Sequence, residues 1–98
     1  MNNLFISYEL ADAEKNLDTV IKACQSLGNS TPLMSGCWYI NSPHNADEAI
    51  KRIGGAFAAE DKLVIANTNT DSCVWLGIGD KEAQRIRQNW KMNLKGVA

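Results

Sequence analysis

The basic side chains near the C-terminus offer the clearest chemistry in the sequence. Lys81 and Arg85 are four residues apart, and Arg87, Lys91 and Lys95 repeat that spacing. Residues four apart share one face of a helix. Arg87, Lys91 and Lys95 therefore predict a cationic stripe able to track a phosphate backbone, with Lys81 and Arg85 as a neighbouring pair. The same charges also suit the end of an ordinary helix, where the backbone dipole favours cations. Lys51-Arg52 can extend such a patch. The other reactive types are more scattered. Glu9 is a carboxylate at the end of an apolar run, with Asp12, Glu14 and Asp18 close behind it. Their plain reading is a solvated strand end paired with Lys62, then the cap, dipole partner and wet face of a helix. His44, the single histidine, is a candidate general base by its pKa. It follows Pro43 in a loop, and the sequence assigns it no partner. Cys24, Cys37 and Cys73 lack the close pairing of a zinc site and the adjacent base of a nucleophile. They read as core thiols. Trp38, Trp75 and Trp90 can stack nucleobases, but on apolar faces they read as core or interface. Trp75 lies on the strand best suited to pair with another subunit.

These residues need elements to hold them. Asn3–Leu10 predicts an opening strand with an unbroken apolar run at its centre, as where both faces are covered or one meets a partner. Asp12 suits an N-cap, and Ala13, Leu17, Val20, Ile21, Cys24 and Leu27 follow at helical spacing. Gly28-Asn29 is a stop signal. Residues 31–42 read as strand, with Trp38 and Ile40 on one side and Cys37 and Tyr39 on the other. Gly36 marks a bulge or bend, so one bent strand and two short ones both fit. Asn45 and Glu48 form a capping box for a second helix, with Ala46, Ala49, Ile50, Ile53 and Phe57 as its apolar stripe. Gly54-Gly55 implies close helix–sheet contact or an early helix end. Residues 62–67 predict a central strand and 73–78 an edge strand. A last helix spans 80–92, with Ala83, Ile86, Trp90 and Leu94 on its inner face. Residues 95–98 read as frayed.

The totals set bounds. The chain has 98 residues, 45% hydrophobic and 21% charged, with net charge −1. That fits one two-layer globular domain over 1–98 and counts against a strongly basic nucleic-acid binder. No apolar run reaches the roughly 20 residues of a membrane span. The start, Met-Asn-Asn, lacks the basic region of a secretory signal. An odd number of widely spaced cysteines points to reduced thiols and a cytoplasmic protein. The element order predicts an α+β fold, a two-layer ferredoxin-like sandwich. It has an antiparallel sheet, helices on one face and an extra C-terminal helix.

Three stretches resemble one family. Phe5-Ile6-Ser7-Tyr8-Glu9-Leu10 resembles a first strand ending in tyrosine-aspartate. Ser35-Gly36-Cys37-Trp38-Tyr39-Ile40 resembles a serine-containing aromatic strand. Asp61 to Thr70 resembles an acidic turn followed by an apolar strand. Together they resemble the small dimeric CRISPR-associated adaptation subunit and its relative, virulence-associated protein D. The resemblance implies a ferredoxin-like fold and a homodimer. It also implies one of two activities. Some members are metal-dependent nucleases, with the first-strand aspartate as metal ligand. Others are non-catalytic bridges that hold DNA and partner subunits. Glu9 stands at the aspartate position. Glutamate can ligate magnesium, but its extra methylene displaces the carboxylate, which counts against catalysis. The leading expectation is a dimeric, non-catalytic binding and assembly module that contacts nucleic acid through Lys81, Arg85, Arg87 and Lys91. Alternatives are a magnesium-dependent endonuclease, toxin-like, using Glu9 at a symmetric dimer seam, and a small inhibitor or regulator that binds protein.

Overall fold

The computed structural model describes residues 1–90. Lys91, Leu94 and Lys95, and with them the far end of the predicted stripe, lie outside those residues. Strand β1, Asn2–Glu9, is central. It pairs antiparallel with β3, Cys37–Ser42, on one side and with β4, Lys62–Asn67, on the other. Strand β2, Asn29–Met34, pairs with β3, and β5, Ser72–Leu76, pairs with β4. The result is a five-stranded antiparallel sheet in the order β2-β3-β1-β4-β5. Helix α1, Ala13–Gln25, follows β1, and α2, Ala46–Ile53, follows β3. Helix α3, Asp80–Trp90, follows β5. The chain is thus α+β and two-layered. Its first six elements run β-α-β-β-α-β, and β5 and α3 are added to them.

Alternation along the strands sorts side chains onto two faces. Leu4 and Ile6 of β1, Ile40 of β3, and Leu63 and Ile65 of β4 point to one face and are fully buried. Val20, Cys24 and Leu27 from the α1 region and Ala49 and Ile53 from α2 complete this core. Each large aliphatic so buried contributes about 1.5–3 kcal/mol. The Asn45 capping box forms: its side chain accepts from the Glu48 amide at 2.8 Å, and Glu48 accepts from the Asn45 amide at 2.9 Å.

The structure settles some local readings and changes others. Of the two readings open for residues 31–42, the two-strand one holds: β2 and β3 form a hairpin. Gly36 sits at φ +72 in the turn, where a Cβ would press on the Tyr8 carbonyl. Asp12 does not cap α1 with its side chain. Its backbone carbonyl accepts from the Lys15 amide instead. Ala13 and Leu17, the first members of the predicted α1 stripe, are exposed, Leu17 at 38%. Asn16 turns inward in their place, bonding Asp61 and the Ala56 carbonyl. Gly54-Gly55 ends α2 in a single 3-10 turn, Gly54–Ala56. Strand β2 carries Pro32, which has no N–H, and its register breaks between Pro32 and Met34.

Candidate binding surface

The second face of the sheet carries Phe5 and Ser7 of β1, Cys37 and Tyr39 of β3, Val64 and Ala66 of β4, and Cys73 and Trp75 of β5. The register places them in rows: Tyr39–Phe5–Ala66–Cys73, and beside it Cys37–Ser7–Val64–Trp75. Helices α1 and α2 cover the opposite face, so they leave these rows open. Phe5 is 40% exposed, although it lies at the middle of the central strand. The Phe5 and Tyr39 rings are 5.6 Å apart and tilted by 50°. Such a pair contributes about 0.5–1.5 kcal/mol beyond its buried area. The Tyr39 hydroxyl donates to Asn3 Oδ1 at 2.6 Å, and Asn41 Nδ2 donates to the same oxygen at 3.2 Å. That network fixes the tyrosine edge. The centre of the face holds no charge.

Helix α3 covers only the β5 end of this face. Ala83 is buried, and Ile86 and Trp90 follow on the same side of the helix, as the sequence predicts. The Trp90 indole N–H donates to the Asp71 carbonyl at 3.0 Å. The Arg87 guanidinium lies over the Trp75 ring, 5.3 Å from its centroid. A groove of about 330 Å³ runs between the helix and β5, lined by Cys73, Trp75, Ile86, Arg87 and Trp90. Arg85 borders its other flank with Asn89. Of the four predicted cations, three fall within the described residues. Arg87 turns toward the sheet, Lys81 and Arg85 are exposed elsewhere on α3, and Lys91 falls beyond the described residues.

Glu9 ends β1 on the same side as the open face. Its Oε1 is 3.9 Å from Lys62 Nζ, and the two side chains are 77% and 56% exposed. A pair so solvated is worth about 0–1 kcal/mol. Asp12, Glu14 and Asp18 are all exposed. Among the described residues no three His, Cys, Asp or Glu side chains gather to hold a metal ion. Within one chain, then, the donor set at Glu9 does not fit magnesium: it offers one carboxylate, and that faces an ammonium group. His44 is half-buried in its loop, where its amide donates to Ser42 Oγ at 3.0 Å.

The thiols divide. Cys24 is a core residue, and burial pushes its pKa up to about 11. Cys37 and Cys73 are only half-buried on the second face, so the prediction of three core thiols holds for one. Burial also raises the Cys73 thiol. Trp38, by contrast, belongs to the core side, and its indole donates to the Tyr8 hydroxyl at 3.2 Å.

One carboxylate escaped the sequence reading. Asp61 is 3% exposed. Its Oδ1 accepts from the Ala11 amide at 2.8 Å, and its Oδ2 from the Ala58 amide at 2.7 Å and Asn16 Nδ2 at 2.9 Å. The two backbone bonds, then the Asn16 bond, hold its pKa below the ordinary carboxylate value. It ties the start of α1 to the turn before β4, a structural role. No buried side-chain polar atom among the described residues lacks a partner. The core therefore holds no polar group waiting for a ligand, and the candidate surfaces are external. None of the described helices is long and apolar enough to cross a membrane. Compared with known proteins, the chain matches no family model, no curated protein and no solved structure.

Proposed function

We propose that this chain is a non-catalytic binding and assembly module that works in the cytoplasm as a twofold homodimer and contacts nucleic acid through α3. The observation that carries the reading is the open sheet face around Phe5, Tyr39, Val64 and Ala66. An apolar face of this kind gains from being covered. A second copy turned about a twofold axis offers the same face in return. With no charge at its centre, the face meets its copy without repulsion. The resemblance to the adaptation subunit family, whose non-catalytic members bridge as dimers, supports the same reading. Three unpaired cysteines agree with a reducing compartment.

Light scattering on a sizing column tests the dimer. The expected mass is twice 10.8 kDa, falling to a single chain for Phe5→Asp. A single chain at every concentration overturns the reading. A salt titration against labelled DNA and RNA tests the contact made by α3. Binding should weaken as salt rises, and no binding at low salt removes that half of the proposal. The nuclease alternative is tested on the same strands with magnesium. Cleavage that disappears in Glu9→Ala would replace the binding reading with an enzyme.

A further inference from the structure

We infer that the groove between α3 and β5 holds a base of a single-stranded nucleic acid, with Arg87 as its clamp. The inference rests on the nucleic-acid half of the proposed function and adds a site and a strand class to it. The groove has the required chemistry. Two aromatic rings, Trp75 and Trp90, the apolar Ile86, the neutral Cys73 thiol and the Arg87 cation line it together. Two of these side chains are fixed in advance. The bond from the Trp90 indole to the Asp71 carbonyl orients that ring. The Arg87 guanidinium lies over the Trp75 ring, a favourable cation–π contact.

Arg87 is exposed and lies 5.3 Å from the Trp75 ring centroid. A guanidinium at the groove can stack on a base and reach the attached phosphate. Among the described residues no carboxylate lies within 4.0 Å of Arg87, since Lys62–Glu9 is the one ion pair formed. Its charge is therefore not spent within the described fold. Lys81 and Arg85, one helical turn apart on α3, can continue the phosphate path beyond the groove. That continuation favours a strand over a free nucleotide. A duplex keeps its bases inside the stack and cannot seat one here. An occupant bound by stacking and phosphate contact is read with little sequence preference.

The test uses the full chain and fluorescein-labelled single-stranded oligothymidine. Two competitors match its length: an abasic strand, which keeps the phosphates, and a duplex. Two of the three tryptophans, Trp75 and Trp90, line the groove, so quenching of their share of the emission reports its occupancy. The expected result is quenching by oligothymidine and binding about tenfold tighter than the abasic strand. With three cations in contact, affinity should also fall about tenfold for a threefold rise in salt. Arg87→Ala should abolish the preference for bases, and Arg87→Lys, which keeps charge without a stacking plane, should restore phosphate binding only. Circular dichroism on both variants checks that α3 is intact. If the abasic strand binds as tightly as oligothymidine, the groove inference is overturned while the phosphate contact by α3 stands. If no strand binds at low salt, both fall.

Discussion

At the scale of single residues, Asp61 decides more than any residue first singled out for chemistry. Its two oxygens accept three N–H groups, two of them from the backbone. Asp61→Asn keeps the shape but replaces one acceptor with a donor that faces other donors. The variant should melt well below the parent at neutral pH. The sign of the pH effect follows from the lowered pKa. The unfolded chain takes up a proton near the ordinary value of about 3.9, before the folded chain does. Stability from this group is thus present above that value and lost as pH falls through the folded pKa. Melting curves of both proteins between about pH 7 and pH 3 should show the gap between them closing on acidification. A constant gap would deny the carboxylate its role. Gly77 has a linked constraint: it sits at φ +73, and a Cβ there would strike the Asp61 carbonyl. Gly77→Ala should cost at least about 1 kcal/mol from the backbone alone, measurable by urea titration. Asp61 was hard to read because an acidic residue before a strand looks like any turn. Its partners, Ala11, Asn16 and Ala58, are brought together only by the fold.

At the scale of elements, helix α2 was the most legible and α3 the least. The Asn45–Glu48 spacing states the cap outright, and the hydrogen bonds form. Asn45→Ala should cost about 1 kcal/mol, lowering the melting temperature by roughly 4–8 °C. Helix α1 was legible in its second half only. Its apolar spacing predicts Val20 and Cys24 inside, but cannot show that Ala13 and Leu17 stay exposed. Native-state labelling should accordingly spare Cys24 until the chain unfolds, as mass spectrometry of alkylated protein would show. Helix α3 presents the predicted inner face, but among the described residues it rests on few anchors: Ala83, the Trp90–Asp71 bond and the Arg87–Trp75 contact. An element so thinly attached opens at lower free energy than the core. Hydrogen exchange should find α3 amides exchanging faster than those of α1 and α2, and equal protection would contradict this.

At the scale of the whole molecule, the class of fold was legible because both central strands announce themselves. Leu4–Ile6 and Leu63–Ile65 are apolar runs, and they do lie side by side as β1 and β4. What the runs conceal is that they serve two faces unequally. Leu4, Ile6, Leu63 and Ile65 are sealed beneath helices, whereas Phe5 and Val64 look out on the other side. Ile65→Ala should therefore cost about 2–5 kcal/mol, a large share of the total stability of such a domain. Phe5→Ala should change the unfolding free energy of a single chain far less and act on self-association instead. Chemical denaturation of both variants at low protein concentration separates the two effects.

The rim of the sheet has its own consequence. Strand β2 interrupts its border with Pro32 and a shift of register, while β5 carries neither proline nor charge. Lateral growth of a β-sheet into a filament requires two receptive borders on every unit, one to give and one to take. Among the described residues this sheet has one. Edge-to-edge addition through β5 then closes after a single partner, which disfavours growth into a fibre.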